Sequence, residues 1–377
     1  MKLSPYARLA AVGFAGALTL TACGSDDNSE NTATPGGSTT KAATTGSGGS
    51  PADCAEGTLS AEGSSAQKNA MDEFVKGFQA KCPGTTINYN PTGSGAGIKQ
   101  FTSGQVDFAG SDSALKADKG EVEAAKTRCK GSDALNIPMV VGPIAVAYNL
   151  PDVESLVLNG EVTAKIFNGT IKQWNDPAIA ALNEGTELPD TAIKVFARSD
   201  ESGTTENFEK YLAAAGNGNW KTEPSKQWAG TGEGREKSSG VQEAIKTEEG
   251  SIGYIEWSYA QDAQLGMAKI DAGAGPVELT GETAGKSLEA AKPEGSGNDL
   301  RLKLDFATKE AGVYPIVLVT YEVVCSKGLE PAKAKLVQSF LKYMASDDAQ
   351  AKVQEIGYAP LPDGVRTKVV AAIDSLG

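Results

Sequence analysis

The 377-residue chain contains no histidine. That absence excludes a Ser-His-Asp triad and any mechanism that depends on an imidazole base. It also removes the commonest zinc ligand. The five cysteines, at positions 23, 54, 82, 129 and 325, show no CxxC spacing, so neither a metal site nor a cofactor is expected. Positive charge is short as well, with 35 Lys and Arg against 48 Asp and Glu and a net charge of −13. Removing an N-terminal leader that holds only Lys2 and Arg8 takes the charge from −13 to −15. Such a field repels nucleic acid and anionic lipid, so neither is an expected ligand.

The apolar stretch Leu9–Leu20 behind Lys2 and Arg8 is too short for a membrane span and reads as a secretory signal over residues 1–22. It runs into Leu20-Thr21-Ala22-Cys23, which resembles a bacterial lipobox and implies cleavage before Cys23 and lipidation of its thiol. Residues 23–53, rich in Gly, Ser, Thr, Ala and Asn, cannot bury a core and are expected to form a flexible tether. In an exported protein the four remaining cysteines favour disulfides, with three possible connectivities. A strand that leads into a helix returns the chain toward its start, which favours Cys54–Cys82 together with Cys129–Cys325.

What remains is organised around Val195–Thr205, where a short apolar run ends in Arg198 and Ser202-Gly203-Thr204 opens a helical pattern. Hydroxyls and free N–H groups at a helix start, beside a guanidinium, suit an anion. Two earlier strand-to-helix turns repeat the design. Gly57–Ala61 leads to Ser64, Ser65 and Ala66 before a helix from about Gln67 to Lys81, with the serines read as cap hydroxyls. Thr86–Tyr89 leads through Pro91–Gly97, where the glycines allow close backbone approach and Ser94 stands at a helix start. The spacing is GxGxG and not the dinucleotide GxGxxG. A third strand, Val106–Gly110, ends before Asp112, which reads either as a helix cap or as an acceptor for a ligand proton. An acceptor there suits hydrogen phosphate and disfavours sulfate.

Two long β-prone runs, Ile137–Asn149 and Tyr314–Val324, suggest crossings between two lobes, the second lobe being an insertion. The division expected is lobe I over 54–142 plus 316–377 and lobe II over 143–315. Trp174 is read as packing, residues 216–240 as irregular surface, and residues 272–300 as containing an exposed loop.

These motifs, in this order, resemble the substrate-binding lipoproteins of bacterial high-affinity phosphate ABC importers, with a lipobox and cysteine pattern like the actinobacterial branch. The resemblance covers roughly residues 55 to 372. It rests on Gly63–Ala66, Thr92–Gly97, Val106–Asp112, Ile166–Gly169 through Trp174–Pro177, Arg198–Thr204, Gly253-Tyr254 and Tyr314-Pro315-Ile316. It implies an α/β, two-lobed type II periplasmic-binding-protein fold with mixed sheets and two hinge crossings. It further implies that Ser64, Ser65, Ala66, Ser94, Asp112, Arg198, Ser202, Gly203 and Thr204 hold inorganic phosphate without any catalytic step. The implied partners are ABC permease subunits, for a monomer anchored by the Cys23 lipid on the outer face of the cytoplasmic membrane. One departure is Ser65-Ala66, where many members have Thr followed by a bulky apolar residue. The alternatives are a binder of another oxyanion such as sulfate or molybdate, a phosphate-ester hydrolase using Ser65 or Ser202, and an added adhesion or signalling role.

Overall fold

The computed structural model describes residues 54–377. The signal peptide expected over 1–22 and the Cys23 tether over 23–53 lie outside the described residues. The chain begins with β1 (Gly57–Gly63), α1 (Lys68–Lys81), β2 (Thr85–Asn90), α2 (Ser94–Thr102), β3 (Phe108–Ser111) and α3 (Glu121–Arg128). The long β4 (Ala134–Asn149) is followed by β5 (Val157–Asn159), α4 (Gly160–Phe167), α5 (Pro177–Ala180), β6 (Lys194–Arg198) and α6 (Gly203–Ala215). Next come β7 (Glu233–Arg235), α7 (Lys237–Thr247), β8 (Ser251–Glu256) and α8 (Trp257–Asp262). The short strands β9 (Gly266–Met267), β10 (Lys269–Asp271) and β11 (Pro276–Val277) precede α9 (Gly281–Glu289), β12 (Lys292–Pro293) and β13 (Leu302–Lys303). The chain closes with β14 (Val317–Cys325), α10 (Pro331–Met344), α11 (Asp347–Glu355) and α12 (Asp363–Asp374).

The main sheet is mixed and runs in the order β2-β1-β3-β14-β4-β8-β6-β7, with β9 also on β4. The three strands β2, β1 and β3 are parallel to one another, as are β8, β6 and β7. Between these groups β4 and β14 run antiparallel. β4 runs unbroken through Gly142-Pro143, which is where its partner changes. Residues up to Pro143 pair with β14, and Ile144 onward pairs with β8. Pro138, which has no N–H to give, sits where the β14 register slips between Thr320 and Tyr321.

Two large apolar cores flank this junction. One gathers Leu59, Phe74, Phe78, Phe108, Val141, Val319 and Phe340, and α1 contributes Ala70, Met71, Phe74 and Phe78 from one face. The other gathers Ile144, Phe167, Trp174, Phe196, Phe208, Tyr254 and Leu318. Trp174 is fully buried and its Nε1 donates to the carbonyl of Gly250 at 2.9 Å.

The stretch 272–300 holds the exposed loop read there, at residues 294–298 between β12 and β13, and also α9, started by a capping box in which Thr280 and Thr283 satisfy each other's backbone N–H groups. One sequence reading needs correction: the stretch 216–240, read as irregular, contains β7 and the start of α7. Its glycines masked a three-residue strand and a helix without a side-chain cap.

Disulfides join Cys54 to Cys82 and Cys129 to Cys325. They enclose sequence separations of 28 and 196 residues, for which loop-closure entropy gives about 3.5 and about 5 kcal/mol respectively. Replacing Cys129 and Cys325 with serine is expected to lower unfolding stability more than replacing Cys54 and Cys82, by roughly 1.5 kcal/mol in urea denaturation. The reverse order would show that unfolded-state entropy does not govern these bridges.

Candidate anion-binding site

The first turn is shaped by close approach of β1 and β3. Gly63 has φ 145°, and a Cβ there would lie 2.0 Å from the carbonyl oxygen of Gly110, so no side chain fits. Helix α1 starts only at Lys68 and has no side-chain cap, so Ser64 and Ser65 are not its cap hydroxyls as their spacing suggested. Instead the Ser64 hydroxyl accepts from the N–H of Ala66 at 3.1 Å and donates to Asp112 Oδ1 at 2.6 Å. Three consecutive carbonyls of this turn are held by tyrosine hydroxyls: Tyr89 donates to Ser64 at 2.7 Å, Tyr259 to Ser65 at 2.9 Å, and Tyr358 to Ala66 at 2.7 Å. Burial raises the pKa of each phenol, so all three remain donors at neutral pH.

Ser94 is the first residue of α2. A Cβ on Gly97 would stand 2.5 Å from Gly63 Cα, so glycine is what lets this helix lie against the first turn. The Ser94 hydroxyl accepts the N–H of Asp112 at 3.1 Å and donates to Asp112 Oδ2 at 3.0 Å. Asp112 does not cap a helix, since α3 begins only at Glu121. Its side chain is buried and collects hydroxyls from Ser64, Ser94 and Thr320, the last at 2.7 Å. Burial pushes the carboxyl up to about 6; the three hydroxyls pull it back down, and the charge of Glu256 adds to the rise.

Opposite these groups, β6 delivers Arg198. Its Nε donates to Asp200 Oδ1 at 2.7 Å and its Nη2 to Oδ2, a bidentate pair, while Nη1 donates to Ser238 Oγ at 3.2 Å. Burial opposes the guanidinium charge, but Asp200 outweighs it and the Arg198 pKa is raised. Burial also works against the Asp200 carboxylate, yet Arg198 holds its pKa below the usual value. Ser202 caps α6 by accepting the N–H of Thr205 at 3.2 Å. A Cβ on Gly203 would meet Asp112 Cβ at 2.5 Å and Ser94 Oγ at 2.6 Å, so the start of α6 lies directly against both. Thr204 donates its hydroxyl proton to the buried Glu256 Oε1 at 2.5 Å.

Seven of the nine residues thus fall into three groups: Ser64, Ser94, Asp112 and Gly203; Ser65 with Arg198 through Ser238; and Thr204 with Glu256. Ser202 caps α6 between the second and third groups. Ala66 lies in the tyrosine-held turn. Ser65 Oγ is 3.0 Å from Ser238 Oγ and accepts the N–H of Ser238 at 3.2 Å. Further contacts tie the two sides together. Asn207 Nδ2 donates to the Asp112 carbonyl at 2.7 Å, Lys116 pairs with Glu206 at 3.0 Å, and Lys226 pairs with Glu121 at 3.0 Å.

Sequence reasoning missed Ser238, Glu256, Thr320 and Glu322. Ser238 lay in the stretch read as irregular, and the other three end or interrupt apolar runs that carry no motif. Glu322 is fully buried; desolvation pushes its carboxyl up to about 8, Gln67 opposing the rise and the charge of Asp112 adding to it. Among the described residues no group of three or more His, Cys, Asp or Glu is arranged to hold a metal ion, and no helix is long and apolar enough to cross a membrane.

A buried arginine, hydroxyls, helix starts and a buried carboxylate acceptor are arranged to hold a small, partly protonated oxyanion. Comparison with known proteins agrees with this chemistry. A family model described as a PBP superfamily domain matches residues 37–348. The phosphate-binding protein PstS 3 of Mycobacterium tuberculosis is 47% identical, with all of both chains covered. PstS 2 of the same species is 44% identical over 96% of each chain. In fold, a phosphate-binding protein from Stenotrophomonas maltophilia aligns with a TM-score of 0.64 at 19% identity, covering 84% of this chain and 93% of its own. The chain therefore belongs to the phosphate-binding protein family of the PBP superfamily.

Proposed function

We propose that the chain binds inorganic phosphate outside the cytoplasm, between lobe I (54–142 plus 316–377) and lobe II (143–315), and delivers it to an ABC permease. Ser64, Ser65, Ala66, Ser94 and Asp112 act from lobe I, and Arg198, Ser202, Gly203 and Thr204 from lobe II. Phosphate is bound and released unchanged, so the protein is a transport component and not an enzyme. The protein works as a monomer held by a lipid on Cys23 at the outer face of the cytoplasmic membrane. The observation that carries this reading is Asp112, a buried acceptor set among hydroxyl donors and facing the start of α6. The hydroxyls of Ser64 and Ser94 turn from Asp112 to the ligand, while Arg198 offsets ligand charge. A proton on the ligand meets the Asp112 carboxylate. Sulfate has no proton to give, so the same carboxylate repels it at a cost of several kcal/mol.

Calorimetric titration of residues 54–377, stripped of ligand, tests the proposal: tight one-to-one binding of phosphate is expected, with no response to sulfate. Silence to both ions would refute it. Asp112→Asn is expected to retain phosphate and lose rejection of sulfate, since an amide can donate to either ion. Arg198→Ala is expected to weaken phosphate by about 2–5 kcal/mol, part of it from leaving Asp200 unpaired. Unchanged affinity would remove Arg198 from the site.

Asp112 also makes stability depend on pH. The folded protein binds this proton more tightly than the unfolded chain does, so the group's contribution is complete below about pH 4 and is lost as pH rises through about 6. Asp112→Asn is therefore expected to stabilise the ligand-free protein by about 3 kcal/mol at pH 8 and hardly at all near pH 4. Urea unfolding at the two pH values measures the difference; an equal effect at both would show that ionisation of Asp112 is not the cause.

A further inference from the structure

We propose that Glu322 is a positioning residue of the turn at Ser64–Ala66: its carboxyl proton sets the direction of the Gln67 amide, which in turn aims the Tyr89 hydroxyl at the carbonyl of Ser64. The inference rests on the phosphate-binding reading above for its effect on the ligand, and it places no new group in contact with phosphate.

Glu322 lies in β14 directly opposite Gly110 of β3, and side chains at paired positions of an antiparallel ladder leave the sheet on the same face. On that face a Cβ at Gly110 would meet Gln67 Nε2 at 2.1 Å and Tyr89 Oη at 2.7 Å, so the missing side chain makes room for both above the ladder. Gln67 and Glu322 are fully buried and stand within hydrogen-bonding reach of each other. Gln67 Nε2 is spent on Tyr89 Oη at 3.1 Å, and Tyr89 donates to the Ser64 carbonyl at 2.7 Å. That leaves Gln67 Oε1 for Glu322. Neither this oxygen nor either carboxyl oxygen of Glu322 has a hydrogen-bond partner among the described residues. Acceptors that meet away from water are satisfied by a single proton, carried by Glu322 and donated to Gln67 Oε1.

The consequence follows from counting protons. A phenol has one, and while it receives the Gln67 amide that proton is free to go to Ser64. Once Glu322 is ionised, the carboxylate draws Nε2 to itself, Oε1 swings to Tyr89 and takes the phenol's proton, and the Ser64 carbonyl is left without its donor. The same turn carries the Ser64 hydroxyl to Asp112 and the Ser65 hydroxyl to Ser238, so its path decides where these donors stand. Burial is the main cause that lifts the Glu322 carboxyl to about 8, Gln67 opposing the rise and the charge of Asp112, beyond β3, adding to it. Tyr89 in β2 is neutral, and Ile137, the β4 position opposite Glu322, carries no charge. Glu322 therefore holds its proton at pH 7 and releases it as pH rises through about 8.

The proton is tested first, without ligand. Infrared spectra of the purified protein at pH 7 are expected to show a protonated carboxyl band that Glu322→Gln removes and that disappears as pH rises through about 8. No such band, or a band that survives in Glu322→Gln, overturns the inference. Calorimetric titration with inorganic phosphate tests the positioning. The amide of Glu322→Gln is a neutral stand-in for the protonated acid, and the titration of phosphate itself is common to both proteins. Dividing the dissociation constant of wild type by that of Glu322→Gln therefore isolates Glu322, and this ratio is expected to grow about tenfold between pH 7 and pH 9. A flat ratio overturns the inference. In a Tyr89→Phe background the growth is expected to vanish, because the link to Ser64 is gone. Growth that persists there shows the charge of Glu322 acting through space and also overturns it. Silence to phosphate in every protein, with the infrared band in place, overturns the phosphate reading and with it the positioning role, leaving Glu322 a buried acid only.

Discussion

The constraint on which the site depends is the cost of burying the Asp112 carboxylate. A carboxylate taken out of water has to be met by donors, and here they come from three separate parts of the chain: Ser64 after β1, Ser94 at the start of α2 and Thr320 in β14. Placing these hydroxyls around one side chain fixes how β1, α2, β3 and β14 approach one another. The tight glycine contacts at Gly63, Gly97 and Gly203 serve the same requirement, because a larger residue at any of them would push a donor or a helix start away.

The electrostatics reverse what net charge suggests. The proposed site concentrates directional donors and one guanidinium at a buried point, where hydrogen bonds would count for more than the distant field of a chain of formal charge −13. The ion pairs Lys116–Glu206 and Glu121–Lys226 lie beside that point and join elements that follow Asp112 to elements flanking Ser202. They link the donor-rich turns on one side with α6 on the other, so the two halves of the site share a frame.

The sequence was legible where chemistry and spacing coincide. Arg198 at a strand end, Ser202-Gly203-Thr204 opening α6 and Ser94 within a glycine-rich turn are local signals, and local signals survive without knowledge of tertiary contacts. The cap readings of Ser64 and Ser65, and the cap alternative for Asp112, failed for a common reason: each assumed that the helix begins close enough for the side chain to reach its first N–H groups. In fact α1 starts at Lys68 and α3 at Glu121, which frees these side chains for one another. Thr320, Glu256 and Ser238 could not be read at all, because their partners lie 208, 52 and 173 residues away and nothing in their neighbourhoods marks them.

The three tyrosines that hold the carbonyls of Ser64, Ser65 and Ala66 bear on the departure noted at this turn. They grip main-chain atoms that every residue type possesses, and they come from β2, from α8 and from beyond α11. The path of the turn is thereby written into distant positions and not into its own side chains. A substitution at residue 65 or 66 leaves these three carbonyl contacts available, whereas the loss of any one phenol at Tyr89, Tyr259 or Tyr358 leaves one buried carbonyl of the turn without its donor.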